Sequence, residues 1–152
     1  MAANLRFSTG IEVLVLMAAE PEKYRTSQAL AKALATNPVV VRRLLAKLGK
    51  AGLVTTSKGP SGGSKLAHGP KQITLRDVYR ALGSAELLHQ PAQSASNEAA
   101  EGQGIEPTHD LRRAIHGVFR KAQKSLEAEL ESITLNQVMK KAAKKATSSP
   151  PA

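Results

Sequence analysis

One stretch constrains this chain more than any other. Residues 36–54 spell out a helix together with both of its ends. Asn37 is a natural N-cap, its side chain able to accept from an orphan backbone N–H. Pro38 takes the first helical position, where a missing N–H costs nothing. Gly52 suits the left-handed stop at the other end. Between them Val41, Leu44, Leu45 and Leu48 follow the i, i+3, i+4, i+7 spacing of a buried stripe. Arg42, Arg43, Lys47 and Lys50 lie off that stripe. A short, capped, cationic helix fits the major groove of DNA. It equally describes an ordinary amphipathic helix with a solvated basic face, so its neighbours decide.

Upstream, Ser8 or Thr9 is the expected cap of a first helix reaching about Ala19. Ile11, Val13, Leu14, Val15, Leu16 and Met17 make it apolar nearly all round, as in a helix buried between others. Pro21 ends it. Thr26 or Ser27 then caps a second helix, Gln28 to about Ala35, with Leu30, Ala31 and Leu34 as its apolar face. Two short helices joined by a tight turn, the second cationic, form a helix-turn-helix pattern.

Downstream the period changes. Residues 53–57 are a β-branched run and predict a strand. Residues 58–65 read as a turn-rich tip, and Leu66-Ala67 as the start of a return strand. A hairpin after such a helix is a wing, with Lys58 and Lys65 at its tip facing phosphates or the minor groove. The glycines do not make a nucleotide loop. That pattern needs Gly directly before Lys-Ser/Thr and a helix afterwards, whereas Ser64 precedes Lys65 and Leu66 follows it.

Thr74 then caps a helix carrying Leu75, Val78, Tyr79 and Leu82 on one face, with Asp77 in its first turn and an Ile73–Val78 staple across the cap. Residues 83–108 hold little to bury apart from Leu87-Leu88 and predict a flexible loop. After Thr108 a long helix is expected. Leu111, Ile115, Val118, Ala122, Leu126, Leu130 and Ile133 form one stripe of roughly six turns, widened by Phe119. A stripe near the heptad period suits a helix–helix dimer contact, and folding back on the first helix is the alternative. A short helix is expected at residues 134–139, then a disordered basic tail over 140–152.

Charge sharpens this picture. The chain carries +10 overall. Residues 1–82 account for +9 of it, residues 83–108 for −4 and residues 109–152 for +5. The excess lies where the cationic helix lies, which is the footprint of a polyanionic partner. There are no cysteines, which excludes disulfides and thiolate metal sites and fits a cytoplasmic protein. Glu12 interrupts the only run that imitates a signal peptide, and no stretch nears the ~20 apolar residues of a membrane span. His89 and His109, with Glu101 and Glu106, are too scattered for a metal site, and His116 reads as a packed or surface residue. No carboxylate or His constellation suggests an enzyme.

With these residues assembled, the chain resembles the IscR/NsrR-type (Rrf-two) family of winged-helix bacterial transcription regulators. Three segments carry the resemblance in order: Gly52-Leu53-Val54, Gly59-Pro60-Ser61-Gly62-Gly63 and Ile73-Thr74-Leu75. Ile133-Thr134-Leu135 resembles the close of the family's dimerisation helix. The resemblance implies a mainly α fold with a small β-hairpin wing: a winged helix-turn-helix domain over residues 1–82, then a long C-terminal dimerisation helix and short terminal helix over 109–139. It implies a homodimer on double-stranded DNA at a palindromic operator, acting as a repressor. It carries Asn37, Val39, Val40, Arg42 and Arg43 onto the groove and Lys58 onto the wing contact. Arg42 matches the two acceptors of guanine, while Arg43 and Lys47 suit phosphates. Many members hold an iron–sulfur cluster through three cysteines between the wing helix and the long helix. Residues 87–105 here have none, so no cofactor is expected and no residue pattern names an effector. The competing expectation is a winged helix used as a protein-interaction or assembly module, against which the charge of residues 1–82 argues.

Overall fold

The structure, a computed structural model, describes residues 3–83 and 109–148. The expected loop over 83–108 therefore lies, from residue 84 on, outside the described residues, as do residues 149–152 of the expected tail. The elements run α1 (Ala3–Ala18), α2 (Ser27–Ala33), α3 (Pro38–Lys50), β1 (Val54–Ser57), β2 (Gly63–Leu66), α4 (Leu75–Ala81), α5 (His109–Ser132) and α6 (Leu135–Ser148). The fold is mainly helical with one two-stranded antiparallel hairpin.

Local chemistry writes most of the boundaries. The Asn37 side chain accepts from Val39 N at 2.8 Å with Pro38 beside it, as expected. α3 ends in a paired stop: Leu53 N donates to Leu48 O and Gly52 N to Gly49 O, with Gly52 at φ +75°. α2 ends the same way, Thr36 N on Ala31 O and Ala35 N on Lys32 O, but Ala35 holds the left-handed position at φ 49°. Thr74 and Asp77 form a reciprocal capping box. Ile73 and Val78, expected to staple that cap, are both fully buried.

The core lies where α1 crosses α3 and α4. Val13, Leu14, Met17, Leu30, Val41, Leu48, Ile73, Val78 and Leu82 are sealed within it, and Leu135 at the start of α6 joins them. A second cluster of Leu75, Tyr79 and Leu130 seats the end of α5 on α4, with Phe7 and Ile11 of α1 against it.

Three boundaries differ from expectation. α1 begins at Ala3 rather than at a Ser8 or Thr9 cap. Ser8 Oγ donates back to Leu5 O at 3.2 Å, so its hydroxyl is satisfied inside the helix. The return strand begins at Gly63, not Leu66, and pairs Ser57 with Gly63 through Val54 with Leu66. Glycine disguises strand in a sequence. Here Ser64 and Arg25 exchange two backbone bonds of 2.9 Å, which adds a third segment to the hairpin. A Cβ on Gly63 would stand 2.7 Å from Arg25 O, so only glycine permits that approach. The expected disordered tail is helical through Ser148. Thr134 and Gln137 cap α6 reciprocally, and Ala and Lys are strong helix formers with no breaker before Pro150.

Candidate nucleic-acid interface

α3 turns its stripe inward and its charges outward. Val41, Leu44, Leu45 and Leu48 are buried, while Asn37, Arg42, Arg43 and Lys50 are exposed. Val39, in the first turn, is an apolar side chain 47% exposed. The start of α3 thus offers a methyl-bearing side chain, an amide and two guanidinium groups. These are the groups that read a T methyl, an adenine edge and a guanine edge.

The hairpin stands beside this helix. Its tip, residues 58–62, is closed by Gly62 N donating to Gly59 O at 2.9 Å. Lys58 is exposed there. Between the start of α2, the outer side of α3 and the hairpin runs an open groove of about 500 Å³. Arg25, Thr26, Ser27, Arg42, Ser57 and Gly62 are among its lining residues. The sequence offers no way to foresee Arg25 here, because Arg42, which lines the same groove, stands seventeen positions away and the Arg25 guanidinium itself pairs with Glu20. Only the Arg25–Ser64 bridge brings them to one groove.

Three of the expected contact residues stand elsewhere. Val40 is half-buried and packs against the core. Lys47 was expected on phosphates, yet its Nζ donates to Leu82 O at 3.4 Å. It thereby meets a terminal carbonyl of α4, a favourable place for a cation. Lys65 was expected at the wing tip. It lies inside β2, 3.1 Å from the Glu22 carboxylate and over the Tyr24 ring. The earlier start of the strand moves it off the tip.

α5 is divided. Leu111 is 51% exposed and Val118 65%, and Leu126 and Ala122 are exposed as well. Ile115 and Phe119 are half-buried. Leu130, expected in the dimer stripe, is instead buried on Leu75 and Tyr79, and Ile133 packs against the same cluster. The stripe serves its own chain at one end and is open at the other. His116 is exposed.

Among the described residues no three His, Cys, Asp or Glu gather as metal ligands. No helix among them is long and apolar enough to cross a membrane.

Residues 3–141 match the Rrf2 family, described as an iron-dependent transcriptional regulator. The chain is 32% identical over 136 residues to YwnA of Bacillus subtilis, a candidate HTH-type transcriptional regulator, covering 90% of this chain and 96% of the relative. A crystal structure of a candidate DNA-binding protein superposes with a TM-score of 0.67 at 30% identity, covering 88% of this chain and 98% of the other. IscR of T. potens superposes with a TM-score of 0.63 at 23% identity, covering 97% and 90%, a likeness of fold. The iron in the family's description finds no thiolates here. Iron–sulfur clusters are held by Cys sulfur, and the chain has no Cys.

Proposed function

The chain belongs to the Rrf2 family of DNA-binding transcriptional regulators, and from that premise we propose that it is a homodimeric repressor that reads a palindromic operator and senses without an iron–sulfur cluster. The observation that carries this reading is the exposed, cationic start of α3 standing beside a basic wing tip. Its family and its relative YwnA are transcriptional regulators, not enzymes.

In this reading the start of α3 enters the major groove. Arg42 takes a guanine edge, Val39 meets a thymine methyl, Asn37 reads beside them, and Arg43 holds phosphate. Lys58 reaches phosphate or minor groove from the wing. The groove lined by Arg25, Thr26 and Ser27 takes one strand of the sugar–phosphate backbone. Val40, Lys47 and Lys65, engaged within the fold, drop out of the contact set.

The open part of the α5 stripe takes a second copy. An exposed apolar line of this length on a helix is a natural association surface. Two copies of α3 then face two half-sites related by the dimer axis. Residues 1–82 act as the reading head and α5 as the dimer element. Occupancy of an operator that overlaps a promoter excludes polymerase.

Selection from random DNA with the purified protein tests the reading, and should return a two-fold symmetric site. Arg42→Ala should cost about 1–3 kcal/mol of binding and relax the preference at one base pair. No sequence enrichment, or a monomer at micromolar concentration by sedimentation, contradicts it. Transcription in vitro from the selected site checks repression.

A further inference from the structure

α5 is joined to the head by two chemically different contacts. At its C-terminal end the contact is apolar and backbone-mediated. Leu130 is buried on Leu75 and Tyr79. Leu75 N donates to Ile133 O at 2.8 Å, and Leu135 N to Ile73 O at 2.9 Å. Towards the middle of α5 the contact is polar. Gln123, Glu127 and Glu131 stand at i, i+4 and i+8, one line along the helix. Facing them on α4 are Arg76, Tyr79 and Arg80.

The pairs run antiparallel. Arg76 Nη1 lies 2.5 Å from Glu131. Arg80 reaches Glu127 through Nε at 2.9 Å and Nη2 at 2.5 Å. Gln123 Nε2 donates to Glu127 at 2.8 Å, and the Gln123 amide lies 3.2 Å from the Tyr79 hydroxyl. The Tyr79 ring in turn packs edge-on to Phe7 of α1, centroids 5.6 Å apart, so the line is tied into the core.

We propose that this polar ladder, Arg76–Glu131 and Arg80–Glu127–Gln123–Tyr79, sets the base-pair spacing between the two half-sites that the protein accepts. The proposal rests on the dimeric reading above. These are positioning residues: they act on DNA only through the angle at which α5 carries the head.

Three physical points favour that role. At residues 130–135 an apolar seat and two backbone hydrogen bonds hold one end of α5, and a hold at one end alone leaves the rest of the helix freedom to tilt about it. Charge-assisted bonds are directional, and a line of them spanning about 12 Å removes that freedom. Surface ion pairs contribute little stability, and each pair here keeps one exposed member, Arg80 at 58% against Glu127 at 18% and Glu131 at 51% against Arg76 at 28%. Their regular array is better explained by geometry than by energy. Leverage makes the angle matter. A 24-residue helix is about 36 Å long, so a ten-degree swing carries its far end about 6 Å, roughly two base-pair rises.

The experiment is a selection on libraries holding two fixed half-sites and a variable spacer. The protein should favour one spacing by about tenfold or more over its neighbours. In Arg80→Ala/Glu127→Ala that preference should fall below about threefold, with affinity for a single half-site unchanged. Glu127→Gln, which keeps the shape and removes the charge, should broaden it partway. The swap Arg80→Glu/Glu127→Arg should restore a sharp preference, which a merely structural role does not predict. Variants as selective as the parent overturn the proposal. So does broadening accompanied by lost half-site affinity, which marks a damaged head. A parent protein that enriches no paired half-sites overturns the operator reading itself.

Discussion

The reading head and α5 treat their apolar residues in opposite ways. In the head, the stripes of α1, α3 and α4 close on one another, and Leu14, Leu48, Val78 and Leu82 are sealed from water. In α5 the stripe is longer; its last turns close on α4, while Leu111 and Val118 stay exposed. The head closes most of its core on itself, and Leu135 of α6 and Leu130 of α5 complete it. Among the described residues α5 meets the head through a short apolar seat, backbone hydrogen bonds at its end and a polar line of ion pairs and hydrogen bonds. A region that buries its own stripe is a unit of stability; one that leaves it exposed is, in the proposed dimer, the unit of association.

The sharpest way to break this contrast is to strike each side once. Leu48→Ala removes a fully buried side chain from the head and should cost about 2–5 kcal/mol, measured by denaturant unfolding. Comparable loss from Leu111→Ala would erase the distinction. Val118→Asp should instead dissociate the dimer at micromolar concentration and abolish the concentration dependence of melting. The head's own unfolding should move by no more than about 0.5 kcal/mol. Sedimentation and melting on the same sample separate the two.

A smaller effect is expected inside the head, where two helices end in the same motif with different residues. α3 places Gly52 in the left-handed position and α2 places Ala35 there. An L side chain pays about 1–2 kcal/mol for that conformation. Glycine returns part of the gain through its looser unfolded state. Ala35→Gly should therefore stabilise by about 0.5 kcal/mol in thermal melts, whereas Gly52→Ala should destabilise.

The smallest effect concerns the α4–α5 ladder and acid. The hydrogen bond from Gln123 and then the Arg80 guanidinium hold the Glu127 carboxyl below the ordinary 4.5, against a weaker opposing push from burial. A depressed carboxyl contributes stability above its unfolded value and loses it as pH falls through the folded one. The stability difference between the parent and Glu127→Gln should thus be flat from neutral pH to about pH 5 and shrink on further acidification. A difference that grows as pH falls would contradict this.

Much of the head was legible in the sequence. Asn37, Pro38 and Gly52 bound α3, and Thr74 with Asp77 starts α4, because caps are made by residues within a turn of each other. The inward stripe of α3 follows from spacing alone. Charge alone suggests a solvated tail after residue 139, whereas Thr134 and a run of Ala and Lys carry α6 to Ser148. Of the expected contact residues, Asn37, Val39, Arg42, Arg43 and Lys58 are exposed. No local pattern shows the partners of Lys47 and Lys65, whose ammonium groups meet Leu82 and Glu22, 35 and 43 positions away.

The division is physical. By itself the sequence determined where helices start and stop, which faces are apolar and where positive charge gathers, because each depends on neighbours within a few residues. The tertiary structure alone decided that Lys65 meets Glu22, that Arg25 pairs with the wing strand at Ser64, and that Leu130 is buried against Leu75 and Tyr79. It alone set Arg80 against Glu127, 47 positions apart. α3 depends on local chemistry for its ends, but the angle at which it is presented depends on contacts no local pattern records.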